Sequence, residues 1–239
     1  MAETSRSRRS TGEGRAPRFR SISEEVADTL RDMILTGELR PGQQVTQEEL
    51  ANRLGLSTMP VREAFLRLSH EGFIEGRRAR SFRVARTTRG DVADIYWAHA
   101  TLAGELARRA CFRADDLLPE LLDLDAAWTR AAARGDSERL EELNFAFHRA
   151  INRAADAPKL LLLLRQTLRF IPQRFYSLLP GWAEVSGAGH RRILDALRAG
   201  DADSAGEAAE RHVLEAGELL AAYFDDTGFW TRPGPGGSE

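Results

Sequence analysis

The sequence predicts a mainly α-helical protein built from an N-terminal winged helix-turn-helix and a C-terminal, all-helical antiparallel bundle. The chain has 239 residues, more than one typical domain of ~100–200 residues. Two helical patterns joined by a short glycine-containing turn lie near the N-terminus. From residue 90 onward, apolar residues recur at helical spacing without a convincing strand. We expect a disordered basic leader at 1–20, the winged helix-turn-helix at 21–86, the bundle at 87–226 and a flexible tail at 227–239.

The composition is that of a globular protein rather than a membrane or secreted one. Hydrophobic residues make up 42% and charged residues 29% of the chain, which is enough apolar material for a core. The longest apolar run, Leu160 to Leu164, is far shorter than the ~20 residues that span a bilayer. The first twenty residues lack the apolar segment of a secretion signal. The single cysteine, Cys111, excludes an intramolecular disulfide and a cysteine-based zinc motif. We therefore expect a cytoplasmic protein without a membrane partner.

Charge is distributed unevenly along the chain. Residues 1–90 contain 17 Lys and Arg against 12 Asp and Glu, a balance of +5, whereas residues 91–239 contain 17 against 24, a balance of −7. Such asymmetry suggests that the first part meets a polyanion. Arginines cluster in the leader and again at 77–89. An arginine run alone is equally compatible with a solvated surface, so its interpretation depends on the surrounding fold.

The first three helices follow from apolar spacing and from cap and turn residues. Apolar residues at helical spacing from Ile22 onward predict a helix that Gly37 and the following proline end. Thr46 and Glu49 have the spacing of a capping box for the second helix. A tight turn at Gly55 then leads into the third helix, which Ser57 can cap.

Two extended segments after the third helix predict a wing. Residues 72–75 and 81–85 flank an arginine-rich tip at 76–80. Guanidinium groups match phosphate oxygens and can enter a minor groove, while residues exposed at the start of the second helix of the motif read base edges. The alternative is a winged helix that binds a protein. The predicted DNA-contacting residues are Ser57, Thr58, Met59, Arg62, Arg67, Arg78 and Arg80.

The remaining chain predicts six helices, at roughly 90–113, 115–134, 136–155, 158–178, 186–199 and 201–224. Asp115, Asp136 and Asp201 are expected N-caps, and Gly135 and Gly200 are expected terminators. Short connections imply antiparallel neighbours in a bundle.

Three histidines of the bundle are candidate metal ligands. Asn144 and His148 are four residues apart and share a helix face, and His190 and His212 lie on two later helices. Imidazoles from three helices can form a divalent metal site in a bundle core. A helical histidine is more often an ordinary core or surface residue, and periodicity does not show whether the three converge.

Four segments resemble the DNA-binding domain of GntR-type bacterial transcription regulators. They are residues 34–42 (ILTGELRPG), 50–57 (LANRLGLS), 60–64 (PVREA) and 68–74 (LSHEGFI). The resemblance covers about residues 20–86 and implies binding to double-stranded operator DNA. The family commonly has Ser-Arg-Thr-Pro where this chain has Ser57 to Pro60, so a guanine-reading arginine is absent. Glu48 also replaces an arginine that contacts DNA in some members, so the family's operator consensus is not carried over.

The bundle is similar to the FadR-like ligand-sensing domain called FCD. The similar segments are Phe147-His148, eight residues before Asp156-Ala-Pro158, and residues 190–201 followed by His212. Many members bind a metal through Asp, His, His and His, which correspond here to Asn144, His148, His190 and His212. An amide oxygen at the Asp position brings no negative charge, so the affinity should fall or the preferred ion change. Zinc, nickel and manganese all remain open.

The same pocket is expected to hold an effector. Tyr96 and His99 share a face of the first bundle helix, and Asn152 continues the face of Asn144 and His148. The family often has Arg at the His99 position. Arg165 and Arg169 are four residues apart and could clamp a carboxylate, or could equally lie on the solvated side of their helix.

These features predict a homodimeric, ligand-responsive transcription regulator. Related proteins most often act as repressors that a small organic acid releases from DNA. One alternative is a regulator for which the metal ion itself is the signal. A remote alternative is a metal-dependent hydrolase, but the sequence has no His-Glu-x-x-His motif and no nucleophile elbow, so we expect no catalytic residues.

Overall fold

The computed structural model describes residues 21–76, 81–171, 176 and 179–230. The expected leader, residues 77–80 of the wing with Arg78 and Arg80, and the last nine residues lie outside the described residues. Within the described ranges, none of the helices combines the length and apolar character needed to cross a bilayer.

The N-terminal domain is a winged helix-turn-helix, as the sequence predicts. Its elements are α1 (Ile22–Leu35), β1 (Gln44–Thr46), α2 (Gln47–Leu54), α3 (Thr58–His70), β2 (Ile74–Gly76) and β3 (Ser81–Val84). The strands form an antiparallel sheet in the order β1-β3-β2. Strand β1 is absent from the sequence prediction because three residues are too few to show alternation.

Caps and turns set the ends of these helices. Ser21 and Glu24 form a reciprocal capping box at the start of α1. Thr46 Oγ1 accepts a hydrogen bond from the Glu49 amide at the start of α2. Gly55 adopts φ +67°, which glycine tolerates and which turns the chain into α3. Ser57 is the N-cap of α3, but its side chain makes no capping hydrogen bond to a described residue.

The C-terminal domain is a bundle of six helices in the described residues. They are α4 (Arg89–Cys111), α5 (Ala114–Arg134), α6 (Ser137–Ala154), α7 (Pro158–Thr167), α8 (Trp182–Ala199) and α9 (Ala202–Thr227). Asp136 and Asp201 cap α6 and α9, and Gly135 and Gly200 end α5 and α8 in the left-handed conformation, as expected. Asp115 is not an N-cap. It lies in the first turn of α5, where a carboxylate interacts favourably with the helix dipole.

The predicted helix at 158–178 is wrong at residues 168–171, because α7 ends at Thr167. The chain continues as a 3-10 turn at Leu168–Phe170, and Ile171 is extended. The sequence supplies the reason, because residue 172 is proline and the residue before a proline disfavours the α-helical region. The next helix begins at Trp182, after Gly181 with φ +78°, rather than at residue 186.

The packed chain also extends beyond the expected boundary at residue 226. Phe229 is buried, and its ring stacks on Phe224 of α9 with centroids 4.1 Å apart. Residues up to Trp230 therefore belong to the domain core rather than to a tail.

Helices α4 and α9 approach each other closely through glycines. A Cβ at Gly217 of α9 would lie 2.6 Å from Cγ of Tyr96 on α4. A Cβ at Gly206 would lie equally close to the Arg108 side chain, which instead passes over the glycine to pair with Glu210 at 3.0 Å. The two helices thus pack with their backbones near each other, and Tyr96 of α4 and His212 of α9 line the same cavity.

We expect Gly217→Ala to destabilise the protein, because the buried Tyr96 ring cannot move away from the added methyl group. Gly90→Ala is the matched control, since the nearest described atom to a Cβ there is Thr88 Oγ1 at an ordinary 3.6 Å. Alanine adds helix propensity at both positions, and more at Gly217 inside α9 than at Gly90 in the first turn of α4. A lower stability of Gly217→Ala, by about 1–3 kcal/mol, therefore reports the clash. Urea unfolding followed by circular dichroism measures it. Equal stability of the two variants would show that α4 and α9 are not held this close.

Candidate functional site

Three imidazoles converge in the core of the bundle. His148 comes from α6, His190 from α8 and His212 from α9, and one nitrogen of each lies within 4.8 Å of the other two. Nε2 of His148 and Nε2 of His212 are 3.0 Å apart. Nitrogens bound to one zinc ion at ~2.0–2.1 Å lie at comparable separations. The structure therefore brings together the three histidines that the sequence singled out.

Small and aromatic neighbours set the positions of these rings. A Cβ at Gly189 would lie 2.2 Å from Nδ1 of His212, so the glycine leaves space for that imidazole. His190 stacks on Phe147 with ring centroids 4.1 Å apart and meets Trp128 edge-on at 4.9 Å. The rings are thus held by packing on several sides.

Asn144 lies among the imidazoles. Its Oδ1 is 3.1 Å from Nε2 of His190, and the Ser186 hydroxyl donates to the same oxygen at 3.4 Å. The side-chain oxygen therefore faces the histidine cluster, which is the position that a fourth ligand requires.

Burial keeps the three imidazoles neutral. It lowers the pKa of His148 to about 4. The pKa values of His190 and His212 are also lowered, by burial first and then by the neighbouring histidines and arginines. Neutral imidazole is the form that binds metal ions. Nδ1 of His212 is buried and has no hydrogen-bond partner among the described residues, so hydrogen bonds between the imidazoles alone leave the cluster incompletely satisfied.

These residues fit a divalent metal ion. Three neutral nitrogen donors and one amide oxygen come from three helices that the bundle holds in fixed positions. The donor set carries no negative charge, so a bound ion would keep its full charge available for an anion.

A cavity of about 640 Å³ adjoins the histidine cluster. Of the predicted effector residues, Tyr96, His99, Asn152 and Arg165 line it together with Asn144, His148 and His212. The Tyr96 hydroxyl hydrogen-bonds to the hydroxyl of Tyr176. Nδ1 of His99 lies 2.7 Å from Oγ1 of Thr167, and burial lowers the pKa of His99 to about 4.

Arg169 lies outside this cavity. Its guanidinium donates to Oε1 of Glu71 at 2.6 Å, and the other oxygen of Glu71 accepts from Arg31 at 2.7 Å. The 3-10 turn after Thr167 takes Arg169 off the helical position that would align it with Arg165. The structure therefore does not bring these two arginines together as a clamp.

Residues 167–171 face the cavity on one side and the winged domain on the other. Leu168 and Ile171 line the cavity. Arg169 reaches Glu71, which follows α3, and Phe170 stacks on Phe73 with ring centroids 5.1 Å apart. One short segment thus contacts both domains.

The start of α3 is an exposed surface. Ser57, Thr58, Met59 and Arg62 are all exposed there. Arg67 lies toward the other end of the helix, where it pairs with Glu24 of α1 at 3.3 Å. Four of the predicted DNA-contacting residues therefore share one helix end, and Arg67 is separate from them.

Sequence reasoning missed several residues of the site. Tyr176 and Trp182 line the cavity, and Thr167 holds His99. Tyr176 lies near the end of the helix predicted at 158–178 and Trp182 lies between two predicted helices, so helical spacing did not place either residue at the site. Their aromatic character was the one available indication.

Comparisons with known proteins agree with this architecture. The family described as "Bacterial regulatory proteins, gntR family" matches residues 22–84, and the FCD domain family matches residues 94–215. An uncharacterized HTH-type transcriptional regulator from Mycobacterium tuberculosis is 32% identical over 74% of this chain and 75% of its own. A probable D-xylose utilization operon transcriptional repressor from Paenarthrobacter nicotinovorans is 30% identical over 81% of this chain and 86% of its own.

A solved structure supports the fold. Escherichia coli McbR/YncC superposes with a TM-score of 0.65 and 24% identity, covering 86% of this chain and 100% of that one. With a winged helix at one end and a histidine-lined cavity in an FCD bundle at the other, the chain belongs to the GntR family of bacterial regulatory proteins and is a DNA-binding transcription regulator with a ligand-sensing FCD domain.

Proposed function

We propose that the protein is a homodimeric repressor that leaves its operator when a small organic acid binds beside a metal ion in the FCD domain. The observation that carries the proposal is the convergence of three neutral imidazoles beside a cavity of about 640 Å³, which His148 and His212 line. The repressor named for a D-xylose operon in Paenarthrobacter nicotinovorans supports the sign of regulation. A regulator of bacterial operators works where the chromosome is, so we also propose a cytoplasmic location.

In this proposal, α3 enters the major groove by its N-terminal end. Ser57, Thr58, Met59 and Arg62 are exposed there and can reach base edges. A dimer presents two such helices, so the spacing of the operator half-sites must match the distance between the two heads.

A metal ion held by the histidine cluster would supply positive charge for the carboxylate of the acid. We propose that Asn144, His148, His190 and His212 hold zinc, nickel or manganese, because three imidazoles discriminate weakly among these ions. The protein itself positions the ligands, and it buries His190 and His212 while Asn144 and His148 face the cavity.

We propose that residues 167–171 transmit effector binding to the winged domain. An acid that displaces Leu168 or Ile171 in the cavity wall also displaces Arg169 and Phe170, which hold Glu71 and Phe73. Glu71 directly follows α3, so the change would alter the position of the DNA-reading helix. The effector shifts this equilibrium only by its differential affinity for the two arrangements.

We expect Arg62→Ala to weaken operator binding by about 1–3 kcal/mol, because it removes a base or phosphate contact at the start of α3. Fluorescence anisotropy with a duplex selected from random sequences measures the loss. Arg211→Ala, an exposed arginine on α9, is the control and should bind as the parent does. Unchanged binding by Arg62→Ala would remove this residue from the interface.

We expect His148→Ala to reduce the metal content of the purified protein, because it removes one of three nitrogen donors. Zinc at 100 times its Kd should stabilise the parent by about 2.7 kcal/mol, and the variant should lose this effect. Plasma emission spectrometry and thermal unfolding measure the two quantities. Asn144→Asp should raise metal affinity, because the carboxylate adds negative charge.

The control for the metal test is His70→Ala, an exposed histidine on α3. It should keep the parent's metal content and thermal response. Metal-free His148→Ala should still bind the operator. If His148→Ala is purified with the same metal content as the parent, the three histidines are structural residues of the core and not metal ligands. If zinc alone releases the operator, the ion itself is the signal.

We expect Arg169→Ala to leave effector binding intact while weakening the response of the DNA-binding domain. Coupling between two sites typically changes an affinity by about 5–150-fold, and here the ratio of operator affinities with and without effector should fall toward one. The probe is the carboxylic acid that gives the largest thermal shift with zinc. Arg198→Ala, exposed on α8, is the control. A full response in Arg169→Ala would show that the contact with Glu71 carries no signal.

A further inference from the structure

One wall of the effector cavity is apolar. Leu161 and Leu164 from α7, and Leu168 and Ile171 from the following turn, form this wall. On the opposite side, α9 contributes Val213 and Ala216 beside His212. A ligand in this space therefore meets aliphatic side chains over most of its length and polar atoms at the histidine end.

Several polar side chains near the histidines are already paired with one another. The hydroxyls of Tyr96 and Tyr176 bond to each other, and His99 bonds to Thr167. A polyhydroxylated molecule gains little from these groups, because each pair would have to break before a ligand hydroxyl could replace it.

Positive charge is found only at the rim among the described lining residues. Arg149, Arg153 and Arg165 are all exposed. Arg153 is also engaged with Glu120 at 2.5 Å. The described residues that line the interior of the cavity include no Lys or Arg, so the place left for a buried carboxylate among them is beside the histidine cluster, where the proposed metal ion would supply positive charge. This step rests on the proposed function.

We infer that the effector is a monocarboxylic acid with an apolar body, whose carboxylate lies at the histidine cluster and whose hydrocarbon part lies against Leu161, Leu164 and Leu168. The volume of about 640 Å³ falls in the range of about 300–1,000 Å³ for pockets that take drug-sized molecules. A two- or three-carbon acid would leave most of the apolar wall uncovered, so a longer chain or a ring gains affinity from contacts that a short acid does not make.

A homologous series of acids tests the inference. Acetate, butyrate, hexanoate and octanoate are titrated into zinc-loaded, full-length protein by isothermal calorimetry. We expect affinity to rise by about fourfold for each added methylene. We also expect suberate, which has the length of octanoate and a second carboxylate, to bind at least tenfold more weakly than octanoate. Equal affinities along the series would overturn the inference. So would tighter binding of suberate, which would instead assign a dicarboxylate held at its far end by Arg165.

A cavity-filling variant tests whether the hydrocarbon chain of the acid lies in the apolar part of the cavity. Ala216→Leu places three more carbons in the apolar part of the cavity, so octanoate affinity should fall at least tenfold while acetate affinity stays within twofold. Ala126→Leu, on the exposed side of α5, is the matched control and should bind both acids as the parent does. An equal loss for both acids, in protein with parental circular dichroism, would place octanoate outside this wall.

A second variant covers the case in which Ala216→Leu does not fold. Leu161→Ser enlarges the cavity and makes its wall polar, so the gain per methylene should fall below twofold. An unchanged gain would contradict the assigned position of the hydrocarbon chain.

Failure of this inference and failure of the proposed function give different results. If the series binds as expected but operator affinity does not change, the ligand class holds and the proposed release mechanism fails. If zinc-loaded protein is released from DNA by short hydrophilic acids and ignores octanoate, the proposed function holds and the ligand class is wrong.

Discussion

The close approach of α9 to its neighbours is the constraint on which the site depends. Gly217 lets Tyr96 of α4 lie directly against the α9 backbone, and Gly189 of α8 leaves room for the ring of His212. A side chain at either position would push α9 outward. Because His212 contributes both to the histidine cluster and to the cavity wall, such a shift would separate the metal ligands and open the effector cavity together.

Burial of the imidazoles gives the site its electrostatic character. Taking a charged imidazolium out of water is costly, so the cluster lowers the pKa of its members and keeps them neutral. Neutral rings bind a metal without competition from protons at neutral pH. The neutral rings carry no negative charge that would offset the charge of a bound ion, and neither does the amide oxygen of Asn144. The positive charge in the interior would therefore come from the ion, while the arginines of the described cavity wall remain at its exposed rim.

The short segment between α7 and α8 links two properties that are separate in the sequence. Its proline at residue 172 disfavours continuation of α7, and in the 3-10 turn Leu168 and Ile171 face the cavity while Arg169 and Phe170 contact the winged domain. A continuous helix would have placed Arg165 and Arg169 on one face. In the turn, Arg169 instead forms an ion pair with Glu71. This ion pair and the stacking of Phe170 on Phe73 connect the FCD domain to the end of α3.

The sequence by itself determined the domain order, most helix ends and the identity of the three histidines. Local signals suffice for these features: Asp136 and Asp201 satisfy helix amides within three residues, and Gly55 and Gly200 adopt backbone angles that other residues resist. The DNA-reading residues at the start of α3 follow from the same local pattern, because their helix and its exposed face are set by nearby residues.

Only the tertiary structure decided which side chains meet. His148, His190 and His212 are separated by up to 64 residues along the chain, and their convergence depends on how α6, α8 and α9 pack. Strand β1 exists because β3 pairs with it, and Thr167 and Tyr176 join the site through contacts with α4. Periodicity shows which face of a helix is buried, but the neighbour on that face is chosen by packing across the whole bundle, so the partners of His99 and Arg169 could not be deduced from spacing.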